Sequence, residues 1–291
     1  MFGHCRQAYY QLKTDYIEEC NQQERILAAV KEQRSEDPGI GGLKLYLMLV
    51  SIFGRENMPG RDRFLYLLRR KRLMLPAPRA RHTTNSNHRY HKYKNLIRGF
   101  VPTACNQLWV SDITYIDTEI GCFYLHLISD AYSHKIIGWK LSESLKAIHT
   151  LEALQEAIKG TGEEDLTGLI HHSDRGSQYC CNIYVEELER RNISISMTED
   201  YKPTDNAIAE RINGIIKQEF IYRIKRFKTS EEAEEKIRRF ILFYNEKRPH
   251  MSIGMKTPNS VHEQSGPQEK MWKNKIYKKK STEKPDNFID L

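Results

Sequence analysis

Hydrophobic residues recur every three or four positions in the first quarter of the chain, which is the period of a helix that buries one face. This spacing predicts a helix over residues 18–34, a second around 43–50, and a third that follows Asp62, whose side chain would cap it. Turns rich in glycine and proline separate the three segments. Short helices that end in an arginine-rich one indicate a helix-turn-helix-like unit that meets DNA, although a plain helical packing module accounts for the same pattern.

Runs of β-branched and aromatic residues replace the helical spacing from residue 107 onward. Three consecutive runs, at 108–117, 122–129 and 135–141, predict an antiparallel meander. Helices and strands then alternate, with a helix at 145–159, a strand at 169–172, a helix at 183–191, a strand at 193–197, and helices at 205–222 and 230–245. This order predicts an α/β fold with a mixed five-stranded sheet and helices on both faces.

These changes of pattern divide the chain into five predicted segments. They are an N-terminal arm (1–20), a small helical, helix-turn-helix-like DNA-binding domain (21–75), a basic linker (76–100), an α/β catalytic core (101–265) and a basic tail (266–291).

Positive charge is concentrated in one stretch of the sequence. The whole chain carries a formal net charge of +8, whereas residues 61–98 contain twelve Lys and Arg against one acid, Asp62. Aromatic residues are interleaved with these cations, a composition that suits a polyanion such as DNA or RNA. A solvated linker is the alternative interpretation. The candidate DNA contacts in this stretch are Arg69, Arg70, Lys71 and Arg72.

The cysteines and the apolar runs bear on the compartment. The six cysteines form no Cys-x-x-Cys pair, which fits reduced thiols in a cytosolic protein better than a disulfide framework. The most apolar run, residues 43–53, contains Lys44 and is too short to span a bilayer, and we find no signal peptide. We therefore expect an intracellular protein that binds nucleic acid.

Three carboxylates stand out because each lies where a predicted strand ends or a predicted helix begins. They are Asp112, Asp174 and Glu210, with 61 residues between the first two and 35 between the last two. Converging carboxylates can bind paired Mg²⁺ ions, which activate an attacking oxygen and stabilise a leaving one in phosphodiester chemistry. The spacing alone is weak evidence, because 38 of the 291 residues are acidic.

Several polar residues near these carboxylates have a functional and a structural interpretation. Lys217 lies seven positions after Glu210 on the same predicted helix face, with Gly214 between them to admit a DNA backbone, although an ordinary solvated lysine is the alternative. Asn206 and Arg211 flank the start of that helix and could orient Glu210 or contact phosphate. We interpret Asp130 as a turn cap, and structural roles are favoured for His171 and His172.

Five ordered blocks of sequence resemble a known family. Three of them resemble the catalytic blocks of retroviral-integrase-like transposases: Trp109-Val110-Ser111-Asp112-Ile113-Thr114-Tyr115, His172-Ser173-Asp174-Arg175-Gly176-Ser177-Gln178-Tyr179 and Asp205-Asn206-Ala207-Ile208-Ala209-Glu210-Arg211. The C-terminal block and the start of the chain resemble the second-frame product of insertion-sequence-three family elements, on the residues Asn245-x-x-Arg248-Pro249-His250, Gly254-x-x-Thr257-Pro258 and Arg6-Gln7-Ala8-Tyr9-Tyr10.

The resemblance implies a ribonuclease-H-like integrase core in which Asp112, Asp174 and Glu210 hold two Mg²⁺ ions, with Mn²⁺ able to substitute. It implies a bacterial DNA transposase that frees a 3′-hydroxyl at the element's terminal inverted repeats and joins it to target DNA through a copy-out, paste-in route. It further implies a homodimer or higher oligomer on DNA, association with the nucleoid in the cytoplasm, and an upstream helix-turn-helix and zipper partner. No membrane partner is expected.

Two other functions remain compatible with the residues. A ribonuclease H or junction-resolving nuclease on the same scaffold would cleave DNA or RNA without joining strands. An inactive relative kept as a DNA-binding repressor would bind DNA with neither reaction, although intact carboxylates in all three blocks argue against it.

Overall fold

The computed structural model describes residues 6–75, 89–199 and 206–268. Most of the predicted basic linker, the loop before the predicted active-site helix with Asp205, and the predicted basic tail from residue 269 onward lie outside these ranges.

A five-stranded mixed sheet forms the centre of the molecule, as the sequence predicts. Its strands are β1 (Leu108–Asp117), β2 (Cys122–Asp130), β3 (Ile136–Ser142), β4 (Ile170–Ser173) and β5 (Ser194–Met197). They lie in the order β3-β2-β1-β4-β5. The first three strands pair antiparallel as the predicted meander, and β4 and β5 add in parallel beside β1. The observed bounds of β1 equal the predicted ones, and those of the other strands differ by at most one residue at either end.

The helices within the described residues fall into an N-terminal group and a group that belongs to the sheet. The first comprises α1 (Arg6–Glu36), α2 (Gly42–Phe53) and α3 (Arg61–Arg70). The second comprises α4 (Ala147–Thr161), α5 (Ser177–Cys180), α6 (Asn182–Arg190), α7 (Ala207–Ile215), α8 (Ser230–Glu246) and α9 (Pro258–His262). A π-helical segment (Ile216–Phe220) and a 3₁₀ turn (Ile221–Arg223) extend α7.

Helices cover both faces of the sheet, because side chains alternate between the two sides of each strand. On one face, Ile116 packs with Ile212 of α7 and Phe240 of α8. On the other face, Trp109 packs with Leu154 of α4 and Tyr184 of α6. Helices therefore pack on both faces of the sheet, as predicted.

The N-terminal helices form a third apolar cluster that also includes one residue of the core. Ile26, Leu45 and Phe64 come from α1, α2 and α3, and Phe243 comes from α8. Arg239 of α8 also pairs with Glu36 of α1. The helical group is therefore packed against the core and does not stand apart from it.

Two predictions about the N-terminal helices are wrong in detail. Helix α1 begins at Arg6 and not at residue 18. Among the described side chains of α1, residues 16–19 are exposed and Ile26 is the first buried one. The sequence before residue 18 shows no clear apolar face, so its hydrophobic spacing could not reveal the first turns. Asp62 does not cap α3, because the helix starts at Arg61 after Gly60, and the Asp62 carboxylate pairs with Arg61 in the first turn.

The predicted linker is partly ordered against the core. Within its described part, the backbone amide of Leu96 donates to Ser196 Oγ (2.9 Å) and that of Asn95 donates to Glu199 Oε1 (3.0 Å). Tyr93 and Ile97 are half-buried against the apolar clusters. These contacts align residues 93–98 along strand β5.

Two further findings concern the compartment. Each described cysteine is a free thiol. Within the three described ranges, no helix has the length and the apolar character that are needed to cross a membrane.

Candidate active site beyond the parallel ladder of strands β1 and β4

The parallel register of β1 and β4 brings Asp112 and Asp174 together. Val110 pairs with His172 at the last position of the β1–β4 ladder, and each aspartate lies two residues further along its own strand direction. Asp112 therefore lies in the middle of β1 and not at a strand end as predicted, because β1 continues to Asp117 in its pairing with β2. Burial and the neighbouring charge of Asp174 raise the pKa of Asp112 to about 7. Two carboxylates in one site repel each other, and a divalent cation between them would relieve that repulsion.

Helix α7 is anchored beside this pair by two asparagines. Asn206 Nδ2 donates to the Ser111 carbonyl oxygen (3.0 Å), and Asn213 Nδ2 donates to Asp112 Oδ2 (2.7 Å). Glu210 lies four residues after the first and three before the second, so all three share one stripe of the helix. The negative charge of Glu210 adds a smaller contribution to the raised pKa of Asp112.

The Glu210 side chain is exposed in a shallow groove along α7. Arg211, Gly214 and Gln218 line the same groove. Among the described residues, no three His, Cys, Asp or Glu side chains lie close enough together to surround one ion. The structure thus brings Asp112 and Asp174 together and places the backbone of Glu210 alongside them, without closing a three-carboxylate cluster.

The donor set fits a divalent cation. Mg²⁺ prefers carboxylate oxygens. Asp112 and Asp174 supply two neighbouring carboxylates just beyond the last pair of the β1–β4 ladder. The Gly176 amide donates to Asp174 Oδ1 (2.9 Å), which orients that carboxylate. A Cβ atom at Gly176 would lie 2.9 Å from the same oxygen and 2.8 Å from Gln178 Oε1, so a larger residue there would displace the Asp174 carboxylate or the Gln178 side chain.

Lys217 lies near the aspartates, but on a different kind of helix from the one predicted. The α-helix ends at Ile215, and Lys217 belongs to the π-helical segment that follows. Its ammonium group lies 6.0 Å from the centroid of the Tyr115 ring. Burial lowers the pKa of Lys217, and the charge of Asp112 opposes this effect. A Cβ atom at Gly214 would meet no atom within 4 Å, so the surface there is open.

The other predicted candidates lie as follows. The Asn206 amide is buried against Ser111, a position that favours the orienting role over phosphate contact. Arg211 is exposed beside Glu210. Four exposed cations, Arg69, Arg70, Lys71 and Arg72, occupy the last turn of α3 and the residues directly after it.

Asp130 and the two histidines have structural environments. Asp130 Oδ1 accepts from the amide and the hydroxyl of Ser133 (both 2.8 Å), which makes Asp130 the predicted turn cap. His171 Nε2 lies 2.8 Å from Ser111 Oγ, and burial lowers the pKa of His171 to about 3. His172 Nδ1 lies 2.8 Å from Ser196 Oγ, also in the core.

Asn213 is the site residue that the sequence interpretation missed. An asparagine in the middle of a helix is unfavourable unless its amide has a specific partner, because it competes for backbone hydrogen bonds. Its position three residues after Glu210 was therefore a usable signal.

The chain is similar in sequence to known integrase cores and transposases. Two models described as integrase core domain match residues 102–203 and 191–258. A 31 kDa protein of insertion element IS600 from Shigella sonnei is 39% identical over 207 residues, which cover 70% of this chain and 75% of that protein. The putative transposase of IS986/IS6110 from Mycobacterium tuberculosis is 35% identical over 180 residues, 60% of this chain and 65% of that protein. Transposase InsF of IS3fB from Escherichia coli is 32% identical over 174 residues, 59% of each chain.

Solved structures of retroviral integrases also align with this chain. The HTLV-2 integrase catalytic core in complex with magnesium has a TM-score of 0.42 and 19% identity, covering 55% of this chain and 97% of that chain. The integrase of a simian T-cell lymphotropic virus intasome has a TM-score of 0.48 and 17% identity, covering 82% and 77%.

The five-stranded mixed sheet in the order β3-β2-β1-β4-β5, with helices on both faces, has the ribonuclease-H-like arrangement, and the matched residues 102–258 make it an integrase core. The chain belongs to the insertion-sequence transposases that carry this core.

Proposed function

We propose that this chain is a Mg²⁺-dependent nucleotidyl transferase in which Asp112, Asp174 and Glu210 hold two metal ions, with Mn²⁺ able to replace Mg²⁺. The observation that carries the proposal is the adjacency of Asp112 and Asp174, which lie directly beyond the last pair of the parallel β1–β4 ladder. The Asn213–Asp112 hydrogen bond supports it, because it holds the helix that carries Glu210 against the same strand.

The proposed reaction has two steps on DNA. Water first attacks a phosphodiester at the element's end and the 3′-oxygen leaves, which frees a 3′-hydroxyl. That hydroxyl then attacks a phosphodiester in the same or a target strand, whose own 3′-oxygen leaves. Bound to the carboxylates, the paired ions supply activation of the attacking oxygen and charge stabilisation at the leaving one.

The chain's own residues prepare this site. Asp112 must give up its proton to act as a ligand, and the Asn213 amide favours the ionised form. The Gly176 amide keeps Asp174 oriented. Lys217 and Arg211 are the proposed contacts to substrate phosphate, and Asn206 holds the start of α7.

The proposed DNA path begins at the N-terminal helices. The exposed cations Arg69, Arg70, Lys71 and Arg72 would contact phosphates of the terminal inverted repeats or of target DNA. The five domains predicted from the sequence, an oligomer on DNA, an upstream-frame partner and a nucleoid location in the bacterial cytoplasm belong to the same proposal.

The decisive experiment is a strand-transfer assay on labelled duplex DNA with pre-cut 3′ ends, in Mg²⁺ and in Mn²⁺. We expect joined products from the wild type and none from Asp174→Asn, which removes a ligand charge. Asp165→Asn is the matched control, because Asp165 is exposed and the amide oxygen can still accept the bonds from Thr167 and Asn192.

The other outcomes separate the competing functions. Cleavage without joining would indicate a nuclease. DNA binding with neither reaction would indicate a repressor, or a core that requires its upstream partner. Joining by Asp174→Asn at the wild-type rate would contradict the assignment of this aspartate.

A further inference from the structure

The active-site helix is tied to the N-terminal helices by a cluster of four ionisable side chains. Glu219 Oε1 accepts from Lys44 Nζ (3.0 Å) and from Arg248 Nη2 (2.8 Å), and its Oε2 accepts from Arg248 Nε (2.6 Å). Asp37 Oδ2 lies 3.8 Å from Arg248 Nε. Arg248 and Asp37 are almost fully buried, and the side chains of Lys44 and Glu219 are only 14% and 16% exposed.

These four residues come from separate parts of the fold. Lys44 lies on α2, and Asp37 lies in the turn between α1 and α2. Glu219 lies in the π-helical segment after α7, and Arg248 follows α8. The cluster therefore joins the N-terminal helices to the helix that carries Glu210.

The backbone is in close contact at the same place. A Cβ atom at Gly39 would lie 2.0 Å from Glu219 Cα and 2.3 Å from the Glu219 carbonyl oxygen. The turn after α1 can therefore approach the π-helical segment this closely only with a glycine at this position.

A buried charge cluster of this kind is better suited to fixing position than to adding stability. Removing charges from water is costly, and apolar side chains of similar volume stabilise a protein as well or better. Arg248 and Lys44 counter the burial of Glu219 and hold the pKa of its carboxyl down at about 2. Glu219 is thus an ionised carboxylate that accepts hydrogen bonds from Lys44 of α2 and from Arg248 after α8.

The π-helical segment carries both Glu219 and Lys217, only two residues apart. Lys217 lies near Tyr115 and within the field of Asp112 on strand β1. Glu219 contacts Lys44 and Arg248. Both residues lie in one five-residue segment, so the contacts that hold Glu219 also affect the position of Lys217. Such π-helical turns are rare and occur often at functional sites.

We propose that Lys44 is a positioning residue for the active site: through Glu219 it holds the segment after α7, and with it Lys217 and Glu210, in register with Asp112. This role rests on the proposed catalytic function of those residues. It makes the N-terminal helices part of the support of the active site, in addition to any contact they make with DNA.

The test compares four full-length proteins without metal and during strand transfer: wild type, Lys44→Met, Lys44→Arg and Lys236→Met. Methionine keeps the length of lysine without its charge, and arginine keeps the charge. Lys236 is the matched control, because it pairs with Glu232 on the exposed side of α8. Hydrogen exchange of residues 207–223 in the metal-free protein reports on position without any catalysis.

In Lys44→Met we expect about tenfold faster exchange in this segment, because the charge-assisted hydrogen bond to Glu219 is removed. The strand-transfer kcat should fall by roughly 10- to 100-fold with an unchanged KM for the DNA end, since small displacements in an active site are costly. Lys44→Arg should restore both readouts, and Lys236→Met should change neither.

Other results would overturn the proposal. Wild-type exchange and rate in Lys44→Met would leave the ion pair without a positioning role. Faster exchange with unchanged kcat would separate Lys44 from the active site. Reduced kcat with unchanged exchange would show that Lys44 affects the reaction without positioning this segment. If circular dichroism shows that Lys44→Met is unfolded, Lys44→Gln is measured instead, and loss of folding there too would make Lys44 purely structural. A catalytic assignment that fails in Asp174→Asn would leave the exchange result intact, so the two failures are distinguishable.

Discussion

At the scale of single residues, the protonation state of Asp112 should control when the proposed metal site takes up a cation. Its pKa is raised to about 7 by burial and by Asp174, so near neutral pH a fraction of the protein still carries a proton there. Binding of a divalent ion should therefore release protons and weaken as the pH falls below this value. Asn213 moderates the effect, since its amide stabilises the charged form.

Replacing Asn213 by alanine tests this role. The loss of a hydrogen bond to a charged group should raise the pKa of Asp112 from about 7 to roughly 8. NMR titration of the metal-free protein with ¹³C-labelled aspartate measures it. Asn206→Ala is the control on the same helix, because its amide binds a backbone carbonyl and not the carboxylate. An Asp112 pKa that stays at about 7 in Asn213→Ala would refute the role.

A buried histidine should make stability depend on pH. The His126 ring lies 2.8 Å from Thr150 Oγ1 and 3.1 Å from Ser142 Oγ, and burial lowers its pKa to about 4. The unfolded chain takes up a proton below about pH 6.5, whereas the folded protein does so only near pH 4. The free energy of unfolding is therefore not reduced by this group above pH 6.5, and it decreases as the pH falls from 6.5 toward 4.

The matching variant is His126→Asn, which cannot titrate. Between pH 7.5 and pH 5.0, the wild type should lose about 2 kcal/mol more unfolding free energy than the variant. Urea unfolding at both pH values measures the difference. Equal pH dependence in the two proteins would contradict the low pKa.

At the scale of elements, the important feature is how helix α7 continues past its last α-helical turn. The sequence predicts one helix to residue 222, whereas the structure has a π-helical segment and a 3₁₀ turn after Ile215. The change follows from contacts outside the helix, with Gly39 against the Glu219 backbone and Arg248 on its carboxylate. Local helix propensity alone does not predict such a change.

Two glycine substitutions should have opposite effects on stability. In Gly39→Ala the new Cβ would meet the backbone of Glu219 at 2.0 Å, so a shift is unavoidable and the protein should lose about 1–3 kcal/mol. In Gly160→Ala the new Cβ would meet no atom within 4 Å inside helix α4, and stability should rise by about 0.5–1 kcal/mol. Urea unfolding of both variants decides, and a neutral Gly39→Ala would contradict the close packing.

At the scale of the whole molecule, the helical group and the core behave as joined units. Phe243 of α8 lies in the apolar cluster of the N-terminal helices, and Arg239 pairs with Glu36. The exposed cations at the end of α3 are therefore held in a defined position relative to the carboxylates. A single DNA end could contact both regions.

Replacing Arg69, Arg70, Lys71 and Arg72 together by alanine tests the electrostatic contribution of these cations to DNA binding. DNA affinity should fall for all sequences alike, and the slope of log affinity against log salt should decrease by about 0.9 for each phosphate that is no longer neutralised. Lys236→Ala with Arg238→Ala is the control, since these cations already pair with Glu232 and Glu234. Fluorescence anisotropy at several salt concentrations gives the slopes, and unchanged slopes would place the DNA elsewhere.

The sequence by itself determined the strands and most helices, and it singled out Asp112, Asp174 and Glu210 as the candidate carboxylates. Strand β1 could be predicted because β-branched and aromatic residues from Leu108 to Asp117 favour an extended backbone locally, and its partner β2 follows after a short turn. The first turns of α1 could not, because residues 6–17 show no clear apolar face in the sequence.

Only the tertiary structure decided which distant residues meet. The parallel pairing of β1 with β4 places Asp112 beside Asp174, Asn213 reaches Asp112 across the packing of α7, and Lys44 reaches Glu219 from another helical group. These contacts join residues 62, 101 and 175 positions apart in the chain. Local preferences act over a few residues, whereas such contacts depend on how whole elements pack. The packing of these elements therefore sets the charges that surround the proposed active site.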